Sequence, residues 1–115
     1  MNELVQVDFE LRDGYAVTRV SGEIDISNVQ ILRDTLDENL DTTSIHIVDL
    51  TETTFIDSVT IRLLFTLIDR LAIRGQKLQL VVPADAYIRR LLTITDLAAR
   101  ASVYACLDDA LADQA

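Results

Sequence analysis

The order of apolar patterns along the chain is the feature that most constrains its fold. Two stretches with apolar residues at alternate positions, residues 4–11 and 15–21, flank the turn signal Asp13-Gly14 and predict a hairpin. Beyond it, short apolar stretches typical of strands alternate with amphipathic stretches typical of helices. Such alternation favours parallel strands joined by right-handed helical crossovers. We therefore predict an α/β fold, with a single domain over residues 1–115, a mixed sheet and about four helices.

Local signals place the individual elements. Ser27 and Gln30 have the spacing of a capping box, and Ile26 and Ile31 flank them like a hydrophobic staple, so a first helix is predicted to begin with Ser27 as its cap. Gly75 is expected to end the second helix in a left-handed turn. The predicted elements after this glycine are a strand at 77–82, a helix at 84–92, a strand at 102–104 and a helix at 107–112.

The Asp57-Ser58 pair stands where a strand gives way to a helix. A predicted central strand, residues 44–49, is followed by a polar stretch, residues 50–54, and then by a long amphipathic stretch, residues 59–73. A serine at such a junction is expected to be exposed beside the free N–H groups of the helix, where a phosphate is tolerated. The pair also has a simpler interpretation as a helix cap, with either residue in that role. Asp57 is expected to cap the helix or orient Ser58 rather than act as a general base.

The charge of the chain limits its partners. Of 115 residues, 19 are acidic and 10 are basic, which gives a net charge of −9. Nucleic acids and anionic membranes attract basic surfaces, so neither is expected as a partner. An acidic surface suits a partner with a basic face, and it also serves solubility. No apolar stretch approaches the roughly 18 residues that a membrane-spanning helix needs, so no membrane insertion is predicted.

Cysteine content and the first residues bear on location. Cys106 is the single cysteine and has no partner for an internal disulfide. The first residues lack the positive region and apolar core of a signal peptide. We therefore expect a cytoplasmic protein.

Several residues near the junction are candidates for a binding surface. Asp25 and Ser27 are expected to lie near Ser58, because the loop after the second strand and the start of the second helix can share one end of the sheet. Leu63 and Leu67 form a ridge on the second helix, which either packs beneath neighbouring helices or belongs to a protein interface.

Catalytic and metal chemistry find little support in the sequence. His46 lies in an apolar strand with no second histidine, and Cys106 has no nearby base, so a structural role is expected for both. No Gly-rich phosphate loop or nucleophile elbow is present. Arg89 and Arg90 are either solvated or at the rim of an interface. We predict no catalytic residue, no cofactor and no metal, and hence no enzyme.

A set of short motifs, in order over nearly the whole chain, resembles the STAS domain and in particular the bacterial anti-sigma-factor antagonists. One motif follows the predicted second strand, two surround the serine junction, and the others lie in the last third of the chain. They are Gly22-Glu23-Ile24-Asp25, Val48-Asp49-Leu50, Phe55-Ile56-Asp57-Ser58, Leu63-Leu64, Gln79-Leu80-Val81-Val82-Pro83, Arg89-Arg90-Leu91-Leu92, Val103-Tyr104 and Asp109-Ala110-Leu111.

The resemblance implies a partner-switching role in transcription regulation and stress response. An unphosphorylated antagonist binds an anti-sigma factor that is also a serine kinase, and so frees the sigma factor. Phosphorylation of the serine, here Ser58, dissociates the complex, and a phosphatase of the PP2C type resets it. A weak homodimer is compatible with this role. The residues expected to contact the partner are Asp25, Ser27, Asp57, Ser58, Val59, Thr60 and Leu63.

The sequence departs from the family's usual pattern in three places. Val59-Thr60 stands where a small residue and a glycine usually follow the serine, Asp96 replaces a glycine after the third helix, and Cys106 replaces a small hydroxyl residue that would cap the last helix. Aspartate tolerates the left-handed conformation, whereas cysteine is expected to cap poorly.

Two alternative functions remain open. Val59-Thr60 favours a STAS scaffold that is not phosphorylated, such as a small subunit of a lipid-transport or stress-sensing complex. An aspartate-phosphorylated receiver domain would use Asp49 at the end of the central strand. That second alternative fits poorly, since no acidic pair follows the first strand and Lys77 begins a strand rather than ending one.

Overall fold

Five strands form one mixed sheet in the spatial order β1-β2-β3-β4-β5. The computed structural model describes residues 5–41 and 43–114, so Leu4 of the predicted first strand lies outside the described residues. The strands are β1 (Val5–Arg12), β2 (Tyr15–Ile24), β3 (Ile45–Ile56), β4 (Lys77–Val81) and β5 (Ser102–Tyr104). The first two are antiparallel, and each later strand runs parallel to the one before it. The predicted hairpin followed by parallel strands is therefore confirmed.

The turn between β1 and β2 has the predicted chemistry. Asp13 and Gly14 both have positive φ angles, +54° and +87°, and Arg12 pairs with Tyr15 across the turn. Two consecutive residues with positive φ match the twist of a tight hairpin, and aspartate followed by glycine is a sequence that accepts this conformation.

Four α-helices cover the two faces of the sheet unequally. They are α1 (Val29–Glu38), α2 (Ser58–Ile73), α3 (Tyr87–Ile94) and α4 (Leu107–Ala112), and a 3-10 turn at Leu97–Ala99 follows α3. Buried residues of α1, α2 and α3 share one cluster with Val48 and Leu80, whereas Ala110 of α4 packs with Ile47 and Val81. Successive strand residues point to opposite faces, so three helices lie on one face and α4 on the other.

Strand β3 is longer than the sequence predicts. The polar stretch after residue 49 continues the strand to Ile56 and pairs with β2 through Glu52, Thr53 and Phe55. Threonine is β-branched and suits a strand, and the Thr53 hydroxyl donates to the carbonyl oxygen of Val20 at 2.8 Å. Two irregularities in the β2 pairing accommodate the extension. This longer strand carries the chain directly to Asp57.

The predicted cap of α1 is wrong. Asn28, not Ser27, is the cap residue, and it makes no side-chain capping bond. Asn28 is only 2% exposed, and its amide instead donates to Glu23 and accepts from the backbone N–H of Asp25. Ile26 and Ile31 do not form the predicted staple, since they are 74% and 43% exposed. The helix therefore begins where the buried side-chain amide of Asn28 can form these hydrogen bonds.

The other helix ends agree with the sequence more closely. Asp57 caps α2, and Gly75 after its last turn has a φ of +72°. Asp96 adopts the left-handed conformation after α3, with a φ of +69°, and Cys106 precedes α4 without a side-chain capping bond. Helix α3 begins at Tyr87, three residues after the predicted start, because a turn from Pro83 to Ala86 comes first.

Candidate functional site

Ser58 is the first residue of α2 and lies at the carboxyl end of the parallel strands. Strand β3 ends at Ile56, so Asp57 alone connects it to the helix. The Ser58 side chain is exposed, and no residue in the described ranges forms a hydrogen bond with its hydroxyl. The hydroxyl is therefore presented to solvent beside the N-terminus of a 16-residue helix.

The Asp57 carboxylate connects two loops. Its Oδ1 accepts hydrogen bonds from the backbone N–H and the hydroxyl of Thr60, at 3.0 and 3.1 Å. Its Oδ2 accepts from the backbone N–H of Ile26 at 2.9 Å. Asp57 therefore fixes the β2–α1 loop against the start of α2. Both oxygens are occupied by these donors, which is the geometry of a positioning residue rather than of a general base for Ser58.

The β2–α1 loop turns around Asp25. Its Oδ1 accepts from the backbone N–H of Ser27 at 2.9 Å and from the Ser27 hydroxyl, and its carbonyl oxygen accepts from the N–H groups of Asn28 and Val29. The hydrogen bond from the Ser27 side chain, followed by that from its backbone, lowers the pKa of Asp25. Asp25 therefore remains ionised and adds negative charge to the loop that Asp57 fixes against the start of α2.

Three large apolar side chains are exposed on the segments that adjoin Ser58 in sequence or bond to its neighbours Ile56 and Asp57. Ile26 is 74% exposed, Tyr87 46% and Phe55 42%. The Asp57 bond holds Ile26 at this place, and the Tyr87 hydroxyl accepts from the backbone N–H of Ile56 at 3.2 Å. Clustered exposed apolar groups with a polar surround are typical of protein interfaces. We call Asp25, Ile26, Ser27, Phe55, Ser58 and Tyr87 the Ser58 surface.

The residues predicted to contact a partner take three different positions. Asp25, Ser27 and Ser58 lie on the Ser58 surface, whereas Asp57 and Thr60 hold it together from within, Thr60 being 1% exposed. Val59 and Leu63 are half-buried and line a groove between α1 and α2. Leu67, the second residue of the predicted Leu63–Leu67 ridge, is buried in the core.

Sequence reasoning missed part of this surface. The sequence pattern predicts a staple role for Ile26, includes Phe55 only within a longer motif, and indicates no role for Tyr87. The recoverable signal is Phe55, an aromatic side chain that directly follows a polar stretch near the junction. Tyr87 lies 31 residues from its hydrogen-bond partner Ile56, so no local pattern reveals their proximity.

The other candidate residues have structural contacts. A ring nitrogen of His46 lies 3.2 Å from the side-chain oxygen of Gln76, and Arg89 donates to the carbonyl oxygen of Val82 at 2.7 Å. The buried Asp49 carboxylate lies 3.5 Å from Arg19 and accepts from the backbone N–H of Thr51. Arg90 and Cys106 are exposed.

Residues 5–41 and 43–114 contain neither a cluster of metal-ligating side chains nor a helix suited to cross a membrane. No cluster of three or more histidine, cysteine, aspartate or glutamate residues suited to a metal ion occurs in these ranges. Within the same ranges, none of the helices has the length and apolarity needed to cross a membrane.

The family model for the STAS domain matches residues 6–110. The chain belongs to the STAS domain family. The match covers the five strands and all the helices except Val5 at the start of β1 and the end of α4. No curated protein matches this STAS domain by sequence.

Solved structures similar to this STAS domain include anti-sigma factor antagonists and a sulfate transporter family protein. An anti-sigma factor antagonist from Mycobacterium paratuberculosis has 28% identity and a TM-score of 0.85, over 95% of this chain and 92% of that one. The phosphorylated form of the Bacillus cell fate determinant SpoIIAA has 18% identity and a TM-score of 0.74, over 96% and 100%. A sulfate transporter family protein from Wolinella succinogenes has 21% identity and a TM-score of 0.72, over 90% and 86%.

Proposed function

We propose that this STAS domain is an anti-sigma-factor antagonist that binds an anti-sigma factor with serine-kinase activity and is switched off by phosphorylation of Ser58. The observation that carries the proposal is the placement of Ser58, an exposed hydroxyl at the start of α2, next to the Asp57 carboxylate that fixes the β2–α1 loop. The likeness to the Mycobacterium paratuberculosis antagonist, over 95% of this chain, supports the same role.

The physical basis of the switch is a change of charge on a surface that stays folded. The N-terminus of α2 favours an anion by about 0.3–1 kcal/mol, so a phosphate does not unfold the loop. A phosphate adds about −1.5 to −2 charges beside Asp25 and Asp57. A partner fitted to a neutral hydroxyl and to Ile26, Phe55 and Tyr87 then meets a bulky dianion, and each 1.4 kcal/mol lost weakens binding tenfold.

The proposal assigns no catalytic group to this chain. The kinase supplies ATP and the groups that move the phosphate, and a phosphatase of the PP2C type removes it. Asp57 then acts only by holding Ser58 and the β2–α1 loop in place, through its bonds to Ile26 and Thr60.

Phosphorylation and binding can be measured together. We expect that an anti-sigma kinase that binds this chain adds one phosphate with Mg-ATP, that peptide mass spectrometry places it on Ser58, and that S58A receives none. T54A, which alters an exposed hydroxyl four residues away, should accept phosphate normally. S58D should weaken binding more than tenfold. A kinase that binds the chain but leaves Ser58 unmodified would overturn the proposal.

A scaffold role without phosphorylation is the second candidate. Two β-branched residues follow Ser58, and Thr60 is buried and bonded to Asp57, which stiffens the segment that a kinase would have to engage. The Wolinella succinogenes sulfate transporter family protein shares the fold, so the fold also occurs outside the anti-sigma factor antagonists, and a scaffold of this kind would serve in a lipid-transport or stress-sensing complex. Affinity purification with the S58A and S58D variants separates the candidates: a scaffold retains a transporter ATPase with both, whereas the switch retains an anti-sigma kinase with S58A only.

A further inference from the structure

A groove with a basic rim runs between α1 and α2, next to the Ser58 surface. Its volume is about 410 Å³. Its floor is apolar and half-buried, and consists of Val29, Val59 and Leu63. Its rim carries three guanidinium groups, those of Arg33, Arg62 and Arg70. We call this the α1–α2 groove.

The charge of the groove is opposite to that of the chain. Among its lining residues the only carboxylate is Asp37, whose Oδ1 lies 3.0 Å from Arg70 Nη1 and whose Oδ2 lies 3.9 Å from Arg33 Nε. Arg62 is exposed and forms no ion pair with any residue of the described ranges. Three cations and one anion leave a local charge of +2, in a chain whose net charge is −9.

We propose that the α1–α2 groove binds an acidic amphipathic segment of a partner protein. The apolar side chains of the segment would lie on Val29, Val59 and Leu63, and its carboxylates would pair with Arg62 and Arg33. A helix laid into an apolar groove with charged rims is a recurrent mode of peptide recognition. Because Arg62 is unpaired, a carboxylate gains a partner there without breaking an existing ion pair.

The floor of the groove favours a protein segment over a small anion. A small-molecule site of this size usually brings a few polar groups together on its walls. Here the floor is apolar, and the cations are spread along the rim over two turns of α2, from Arg62 to Arg70. Cations spread in this way match carboxylates spaced along an extended or helical segment.

The arrangement of charge also fixes the direction of the partner. The surface is acidic at Asp25 and Asp57 and becomes basic along the groove, at Arg33 and Arg62. A partner must therefore present basic groups near Ser58 and acidic groups farther along, and the reversed orientation is repelled. That this partner is the anti-sigma factor rests on the proposed function, whereas binding of an acidic segment does not.

Two synthetic peptides of equal length test the groove on the unphosphorylated chain. Both carry leucines at helical spacing, and one has glutamates where the other has lysines. We expect the acidic peptide to shift the backbone NMR signals of Val29, Leu63 and Thr66, and the basic peptide to leave them unchanged. R62E and R33E should each weaken binding of the acidic peptide by about fivefold to tenfold.

The matched control is K77E, which changes the net charge equally at an exposed position outside the groove and should bind like the parent. Equal losses in R62E and K77E would show a non-specific charge effect and overturn the proposal. Inorganic pyrophosphate is the small-anion probe: if it shifts the groove signals and the acidic peptide does not, the groove is an anion site instead. Groove binding with no phosphate on Ser58 would refute only the proposed function.

Discussion

At the scale of single residues, Asp57 has the most demanding role in this STAS domain. Its two carboxylate oxygens accept three hydrogen bonds from two different segments, the β2–α1 loop and the first turn of α2. The hydroxyl of the exposed Ser58 beside it forms no hydrogen bond with the described part of the chain. Of these two adjacent residues, Asp57 therefore fixes the backbone and Ser58 presents a hydroxyl.

Substitution of Asp57 should affect the stability of the domain more than it affects the phosphorylation of Ser58. We expect D57A to lower the free energy of unfolding by about 1–3 kcal/mol, because it removes the α2 cap and leaves the Ile26 N–H without its partner. D57N should lower the free energy of unfolding by about half as much, since asparagine also caps helices. Urea denaturation measures both values.

The same variants test whether Asp57 is a general base. D57N should still accept phosphate on Ser58 from the kinase, as its amide oxygen maintains the cap while lacking a basic carboxylate. Loss of phosphate transfer in a folded D57N protein would contradict the positioning role.

At the scale of elements, the start of α2 differs from the usual family pattern because of Thr60. The side chain is buried and its hydroxyl donates to Asp57, so a residue that replaces the usual glycine has become part of the loop-fixing network. The structure thus gives the departure a local role in the packing of α2.

Restoring glycine at this position should therefore destabilise the domain. We expect T60G to lower the free energy of unfolding by about 1–2 kcal/mol, because the hydrogen bond of the hydroxyl is lost and glycine has a lower helix propensity. T66G is the matched control, because Thr66 is exposed on the same helix, and it should cost only a few tenths of a kcal/mol from propensity. Thermal or urea unfolding gives the comparison, and equal costs would show that the Thr60 contacts contribute nothing.

Local patterns explain which elements could be predicted. The hairpin follows from Asp13-Gly14, and the left-handed turn after α2 from Gly75. The cap of α1 could not be predicted, since the burial of Asn28 against Glu23 overrides the Ser27 signal. The Ile26–Asp57 bond joins positions 31 residues apart, so it depends on the pairing of whole strands.

At the scale of the whole molecule, stability should depend on pH through His46, the single histidine. Burial lowers the pKa of His46 from its ordinary value of 6.5, despite the hydrogen bond with Gln76. The unfolded chain then binds a proton in a range where the folded chain does not. Stability is therefore full above about pH 6.5 and decreases as the pH falls below it, by at most about 1.4 kcal/mol per pH unit.

The measurement is the free energy of unfolding in urea between pH 5 and pH 8. The H46Q variant should remove this slope, because glutamine does not titrate, even if the variant is less stable at every pH. An identical slope in both proteins would show that other groups cause the dependence.

The sheet also has an implication for how the protein is made. Its strands lie in space in the order in which they occur in the sequence. As the chain leaves the ribosome, every new strand therefore meets a neighbour that has already been translated, and none has to be inserted between two others. Strands β1 to β3 and the Asp57 link to Ile26 are all encoded before β4 begins. Ser58 and the loop that Asp57 fixes against it are thus both translated well before the last two strands exist.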